Sequence, residues 1–416
     1  MRQRRPLFPP QAKRDRLRNK GRDATSRLTI NGPISVHVRR WQQPSGGSQR
    51  PGAEVLGLPV SQPSVGFRQI ACGLALNANS SFVGEARLMG QLGLGPVSWE
   101  KLRQVVEAEG QTVQEAQQQQ RFGLAWQARG CADATCEGSL VCVGVDGVMT
   151  RQVTDEEKRK RRQKVAGKRG ARAKAGQPLK PLPKRRAGAD GPWKEVKIVG
   201  AYQQDHQHRH WRSTTLNHLM AAVLMIQVAR RVGLALTQAK VAVVDGADWI
   251  EARLRECLPD LTAIILDFFH LSEHVHAATG EAFGEGTAPA GQWAERLLTA
   301  IRREGFAVFD ALLGQCLAEH GQMPDAHAAL TKLRQYVGQR QEMVNYPDFE
   351  ARGWPIGSGP TESMASVLTS RVKGRGRRWD APHIDAVMAL QALEVGDEWD
   401  AYWQTQRQPS ADKCAA

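Results

Sequence analysis

Two short apolar runs that end in the same tripeptide, Val-Asp-Gly, constrain the fold of this chain more than any other feature. They are SLVCVGVDG, from Ser139 to Gly147, and KVAVVDG, from Lys240 to Gly246; a third apolar run, TAIILDFFH, spans Thr262 to His270. Short apolar runs that are rich in β-branched residues predict buried strands. We therefore expect Asp146 and Asp245 at the ends of strands, where the sites of α/β proteins assemble.

The predicted elements around these runs follow a recognisable order. A second strand is predicted from Val148 to Val153 and a third from Val196 to Tyr202, followed by a long helix from Thr214 to Val232. A short helix from Asp248 to Cys257 separates the last two strands, and residues 271–347 are predicted to be entirely helical. Three strands, helix, strand, helix and strand is the order of an α/β ribonuclease-H-like fold, in which an antiparallel region is continued by parallel β-α-β units. We predict this mixed sheet, interrupted by an all-α insertion.

The rest of the chain divides by composition. We predict a basic arm, short hairpin and linker over 1–64, followed by a helical, helix-turn-helix-like DNA-binding region over 65–130. The first part of the core is predicted over 131–269, with a basic disordered insert at 155–190, and the all-α insertion over 270–350. The last core helix with a basic C-terminal part is predicted over 351–403, and a tail over 404–416. In the helical region Ser98 can cap a helix that turns Leu102, Val105 and Val106 inward. An ordinary helical hairpin explains that segment equally well.

The charge balance indicates the class of partner. The formal net charge is +15 and the sequence pI is about 9.8, which favours nucleic acid over a membrane surface. The longest apolar run, from Leu219 to Ala229, is too short to span a bilayer. Seven scattered cysteines, an odd number, argue against a disulfide framework. We expect a cytoplasmic, nucleoid-associated protein with no membrane partner.

Three carboxylates stand where such a fold can gather them. Asp146 and Asp245 follow the two apolar runs, and Glu362 lies on a late helix in a strongly basic stretch. Three hard oxygen ligands suit Mg²⁺, and two such ions about 3.5–4 Å apart can drive an in-line phosphoryl displacement. Asp-Gly is also common turn chemistry, and Glu362 could simply pair with Arg352 or Arg371, which is worth about 0–1 kcal/mol at a surface.

The longest distinctive stretch runs from Tyr346 to Asp380, YPDFEARGWPIGSGPTESMASVLTSRVKGRGRRWD. Together with VVDGADWI and ILDFFHLSEHV, it resembles the bacterial insertion-sequence transposases of the ISKra type. These are DDE enzymes with a ribonuclease-H-like core, related to Mutator- and hAT-type transposases, and the likeness covers roughly residues 27–403. The resemblance implies that Asp146, Asp245 and Glu362 form a catalytic triad that holds Mg²⁺ or Mn²⁺.

A second acid competes for one place in this triad. Asp267-Phe-Phe-His270 resembles a Cys/Asp-x-x-His element that stands at the start of the helical insertion in Mutator- and hAT-type transposases. Asp267 also follows an apolar strand, so it is an alternative second ligand. We prefer Asp245, because the glycine after it leaves the backbone room to approach phosphate, and we expect Asp267 and His270 to support the site.

Further residues are predicted to bind DNA. Arg103 and Gln104 have donors suited to guanine and adenine edges at the start of the second helix of the helix-turn-helix-like segment. Trp354 is a candidate for stacking on an unpaired base, and packing against its own turn is at least as good an interpretation. Five cations after Glu362 are expected to hold phosphates, namely Arg371, Lys373, Arg375, Arg377 and Arg378.

Taken with the resemblance, these features predict an enzyme and its partners. We expect a DNA transposase that cleaves and joins insertion-sequence ends by divalent-metal-dependent phosphoryl transfer. Its partners would be double-stranded DNA, both terminal inverted repeats and target, and further copies of the chain in a homodimer or higher oligomer. The alternatives are a ribonuclease-H-fold DNA nuclease or resolvase that cuts without joining, and a decayed transposase that only binds DNA.

Overall fold

The computed structural model describes residues 18–43, 47–49, 63–77, 81–131, 138–164, 170, 172–178, 192–205, 207–320, 324–374 and 376–407. They belong to two compact units. The terminal unit comprises Met1–Gly123, Ala389–Gln391 and Glu398–Ala416, and the core unit comprises Leu124–Met388 and Ala392–Asp397. In the described part of the chain, no helix combines the length and the apolar character that crossing a bilayer requires.

The helices and strands follow one another in this chain order: β1 (Arg18–Thr29), β2 (Gly32–Gln42), β3 (Ser48–Gln49), α1 (Val65–Ala75), α2 (Phe82–Gln91), α3 (Trp99–Gln118), β4 (Leu140–Arg151), α4 (Asp155–Lys164), β5 (Trp193–Tyr202), β6 (Arg209–Thr214), α5 (His218–Val232), β7 (Ala239–Val244), α6 (Asp248–Cys257), β8 (Ala263–Leu266), α7 (Phe268–Phe283), α8 (Ala288–Arg303), α9 (Phe306–His320), α10 (Pro324–Gly338), α11 (Tyr346–Ala351), α12 (Gly359–Lys373), α13 (Ala381–Val395) and α14 (Trp399–Arg407).

The core unit is built around a five-stranded sheet with the order β6-β5-β4-β7-β8. Strands β4, β5 and β6 pair antiparallel, whereas β7 pairs parallel with β4, and β8 pairs parallel with β7. The last four residues of β7, Val241–Val244, are all buried, so both faces of this strand are covered, which explains its apolar sequence. The prediction of an α/β chain with a mixed sheet is therefore confirmed.

Two of the predicted strands are a single strand. The segments predicted as Ser139–Gly147 and Val148–Val153 together form β4, so Asp146 lies inside a strand and not at its end. The Asp-Gly pair makes no turn here because Gly147 continues the antiparallel ladder opposite Lys197 on β5. The predicted number of antiparallel strands is nevertheless right, because β6 supplies a third strand in a segment for which no strand was predicted.

The insertion is helical, as predicted, but it begins earlier than expected. Strand β8 ends at Leu266, and α7 starts at Phe268 inside the segment predicted as strand. The basic insert predicted to be disordered over 155–190 also begins with a helix, α4. Its residues 165–169, 171 and 179–190 lie outside the described residues.

In the terminal unit β1 and β2 form the hairpin predicted within residues 1–64, and its strands have 12 and 11 residues, so it is not short; residues 1–17 lie outside the described part. The Ser98 hydroxyl accepts the Lys101 N–H at 3.2 Å and caps α3, and Leu102, Val105 and Val106 are buried, as predicted. Helix α14 belongs to this unit, so the part predicted over 351–403 divides between the two units.

Candidate active site

Asp267 is a buried carboxylate that joins two segments of the core unit. Its Oδ1 accepts the backbone N–H groups of Phe269, at 2.6 Å, and of His270, at 3.0 Å, which caps the start of α7. Its Oδ2 accepts the N–H of Ser358, in the turn before α12. A carboxylate has about four acceptor positions, so three backbone donors leave Asp267 little capacity for a further ligand. Its contacts are those of a residue that positions its neighbours.

Glu362 lies in the first turn of α12 and is more open, with 54% of its side chain exposed. The Ser358 hydroxyl donates to its Oε1 at 2.6 Å. The Nδ1 atom of His270 lies 3.8 Å from this Oε1 and 3.8 Å from Oδ1 of Asp267. Ligand atoms of Asp267, His270 and Glu362 all lie within 4.8 Å of one another, a spacing that a metal ion could bridge. We call these three residues the carboxylate–histidine cluster.

Asp146, in the middle of β4, faces the same space. Burial raises the pKa of Asp146 above its ordinary value, and the charges of Asp245 and Glu362 raise it further. The N–H of Gly147, which donates to Asp146 Oδ1 at 2.6 Å, and the nearby His270 act in the opposite direction on this pKa. Because charge–charge interactions weaken with distance, these effects place Asp146 within electrostatic reach of Asp245, Glu362 and His270, although among the described residues the group with ligand atoms within 4.8 Å of one another is Asp267, His270 and Glu362.

Asp245 follows β7 directly, as predicted. Its Oδ1 accepts the N–H of Ala247 at 3.0 Å, which closes a tight turn through Gly246 at φ +86°. A methyl group on Gly246 would lie 2.4 Å from the Tyr336 hydroxyl and 2.9 Å from Leu266. The reason given for preferring Asp245 was therefore wrong in part, because a phenol fills the space that the glycine was expected to leave open.

The residues that hold this turn come from the helical insertion and its edge. The guanidinium of Arg340 donates to the Gly246 carbonyl at 3.1 Å, to Asp248 Oδ1 at 2.7 Å and to the Tyr336 carbonyl at 3.2 Å. It also lies 4.3 Å from the centroid of the Tyr336 ring, whose other neighbour is the His274 ring at 4.2 Å. We call Tyr336 and Arg340 the insertion clamp. Sequence reasoning missed both residues.

A close contact between helix and strand sets the position of Glu362. A methyl group on Gly144, in β4, would lie 2.5 Å from the Thr361 hydroxyl oxygen and 2.8 Å from the Trp211 ring. The Thr361 hydroxyl lies 3.3 Å from the Tyr202 hydroxyl on β5. Helix α12 can therefore lie directly against β4, which brings Glu362 close to Asp146. The glycine was visible in the sequence, and its role was not recognised.

Trp354 does not have the exposed ring that base stacking requires. It is 9% exposed, its ring centroid lies 6.0 Å from that of Phe349 with the planes 23° apart, and the Arg352 guanidinium lies 5.1 Å from it. These contacts favour the alternative interpretation, that Trp354 packs against its own turn.

The five cations after Glu362 do not form one exposed track. Arg371 is buried, with 1% exposure, and lies against Trp379, which excludes the predicted contact with phosphate in this conformation. Arg377 donates to the Arg371 carbonyl at 2.8 Å and Arg378 pairs with Glu157 of α4, whereas Lys373 is exposed. Arg375 lies outside the described residues.

The predicted base-reading pair is engaged within its own helix. Arg103 pairs with Glu100 at 2.7 Å and with Glu107 at 2.6 Å, and these hydrogen bonds raise the pKa of its guanidinium. The Gln104 amide lies 3.4 Å from Glu100 Oε1. Reading a base edge would require these contacts to be exchanged for contacts with DNA.

Comparison with known proteins adds no assignment, since no family model and no curated protein matches the sequence. The geometry of the candidate site therefore carries the functional argument.

Proposed function

We propose that this chain is a DDE-type DNA transposase of the insertion-sequence class, with a ribonuclease-H-like core. The observation that carries the proposal is that the charges of Asp245 and Glu362, acids from distant segments, both act on Asp146, beside the close approach of Thr361 to Gly144 that lays the helix of Glu362 against β4. The sheet supports it as well, because three antiparallel strands are continued by two parallel ones in the order such a core requires.

The donor set fits a divalent cation. Mutually repelling carboxylates, with one pKa raised by burial and by its neighbours, are stabilised when a cation binds between them. Oxygen donors suit Mg²⁺ or Mn²⁺, and such an ion, when bound, polarises a phosphate oxygen and lowers the pKa of an attacking water or 3′-hydroxyl. Asp146, Asp245 and Glu362 would hold it.

Asp267 and His270 act mainly on the position of these ligands. The Asp267 carboxylate fixes the start of α7 and the Ser358 N–H, and the Ser358 hydroxyl orients Glu362. Asp245 remains the better second ligand, because within the described part of the chain one backbone donor engages its carboxylate, whereas three engage Asp267.

The partner in this proposal is double-stranded DNA, both transposon ends and target, bound by two or more copies of the chain. The net charge of +15 and the exposed Lys373 on the helix of Glu362 support a polyanionic partner.

The test uses the full chain and duplexes that carry the inverted repeats flanking its gene. With Mg²⁺ or Mn²⁺ we expect strand cleavage and joining to a target plasmid. Asp146→Asn, Asp245→Asn and Glu362→Gln should each abolish both steps and leave DNA binding intact, because they remove ligands without removing cations. Glu342→Gln, at a side chain that is 86% exposed in the same unit, is the matched control.

Three results would contradict parts of the proposal. Cleavage without joining would indicate a nuclease or resolvase. DNA binding without divalent-dependent cleavage would indicate a protein that only binds DNA. If Asp245→Asn is active and a folded Asp267→Asn is inactive, the second ligand is Asp267 and not Asp245.

A further inference from the structure

Phe269 has the highest exposure of the large apolar side chains in the described residues, at 70%. The preceding residue, Phe268, is half-buried and packs against Tyr346, with ring centroids 5.3 Å apart. A single exposed phenylalanine on a protein surface needs no explanation by itself. The exposure of Phe269 is of interest because this residue lies next to the carboxylate–histidine cluster.

The Phe269 ring stands beside the carboxylate–histidine cluster on a fixed backbone. The backbone N–H of Phe269 donates to Asp267 Oδ1 at 2.6 Å, and the backbone N–H of the neighbouring Phe268 donates to the Ile356 carbonyl at 2.9 Å. A methyl group on Gly357 would lie 3.2 Å from the ring edge, so the ring lies over the turn that leads to Glu362. The solvent-exposed ring of Phe269 is thus held within one helical turn of Asp267 and His270, two members of the carboxylate–histidine cluster.

The chemistry of the site selects what such a ring can contact. A phosphate held by the three carboxylates through a metal ion brings the base of its own nucleotide close to the protein surface. Every base has a flat π-face, and stacking one base on an aromatic ring strengthens binding roughly 5- to 150-fold with little dependence on sequence. A base pair inside a duplex is covered on both faces by its neighbours, so a base that stacks on Phe269 must be unpaired or lie at the very end of a duplex.

We propose that Phe269 stacks on an unpaired base next to the phosphate on which the site acts, and so positions a frayed or single-stranded DNA end. This inference rests on the proposed function. It assigns to Phe269 the role that the sequence suggested for the buried Trp354.

The experiment measures binding of the full chain to two DNA probes. The first is a duplex whose recessed end leaves a single unpaired 2-aminopurine, and the second is a longer duplex in which the same base is paired and covered by further base pairs. Stacking on Phe269 should quench the fluorescence of the unpaired 2-aminopurine. Phe269→Ala should remove this quenching and weaken binding of the first probe about 5- to 150-fold, with the second unchanged. Phe269→Trp should preserve both signals.

Trp193→Ala is the matched control, because Trp193 is a 56% exposed aromatic at the start of β5. Equal losses on both probes would overturn the inference, as would unchanged binding of the first probe by Phe269→Ala. A change in the oligomeric state of Phe269→Ala without a change in quenching would show that the ring contacts another copy, which also overturns it. If cleavage and joining occur without discrimination between the probes, the inference alone fails. If discrimination persists in a chain that never cleaves DNA, the proposed enzymatic function fails and the stacking role stands.

Discussion

Replacing Arg340 with alanine should loosen the turn that carries Asp245. The guanidinium is nearly buried and donates to the Gly246 carbonyl at 3.1 Å, whereas the Asp248 side chain that it also contacts is 95% exposed. The exposed ion pair contributes about 0–1 kcal/mol after screening by water. A buried hydrogen bond from a charged donor contributes about 1.5–3 kcal/mol, and the contact with the Tyr336 ring about 0.5–1 kcal/mol. We expect Arg340→Ala to cost about 2–5 kcal/mol, the sum of these contributions.

Two measurements check this expectation. Denaturant unfolding gives the loss of stability, and hydrogen exchange at the Ala247 amide, which donates to Asp245, reports the turn itself. Arg340→Lys should recover only part of the loss, because an ammonium cannot reproduce the planar fork. Arg334→Ala, at an exposed arginine of α10, should cost less than 1 kcal/mol. If Arg340→Ala unfolds within about 0.5 kcal/mol of the parent and the Ala247 amide exchanges no faster, the clamp does not position Asp245.

Two further changes test other contacts. Gly144→Ala should destabilise the chain by about 1–3 kcal/mol and reduce DNA cleavage, because the methyl group would displace Thr361. The control is Gly359→Ala, where the methyl group would meet no neighbour within 4 Å. Equal melting temperatures of the two variants would contradict the reasoning. The hydrogen bond from Arg334 lowers the pKa of Asp310 below its ordinary 3.8, so ionised Asp310 stabilises the fold. Asp310→Asn should therefore cost about 0–1 kcal/mol at neutral pH, and the difference should disappear as the pH falls from about 4 through the lowered pKa; a difference that persists in acid would refute this cause.

The parts of the fold that could be predicted are the segments whose local composition already indicates that they are buried. Strands β7 and β8 are almost entirely apolar, and both were found in the sequence, although β8 ends at Leu266, before the predicted His270. Strand β6 was missed because its buried positions include His210 and Arg212, so no apolar alternation marks it. The Asp146-Gly147 pair suggested a turn, and pairing with β5 overrode that local preference.

The candidate site divides in the same way. Glu362 could be found because it is a lone acid in a basic stretch. The contact of Arg340 with Gly246 spans 94 positions of the chain, and no local pattern encodes it. Charge alone also failed to distinguish the buried Arg371 from the exposed Lys373, because a run of cations does not reveal which side of a helix each one occupies.

The place of α14 in the terminal unit affects the order in which the newly made chain can fold. Glu109, buried in α3, pairs with Arg68 at 2.5 Å and accepts the Tyr402 hydroxyl at 2.6 Å. A ribosome adds roughly 5–20 residues per second, so Glu109 waits on the order of tens of seconds for its phenol donor. Until then a buried carboxylate lacks one of its two donors, which is costly in an apolar interior. The unit that leaves the ribosome first is therefore completed last, after the whole core has been synthesised.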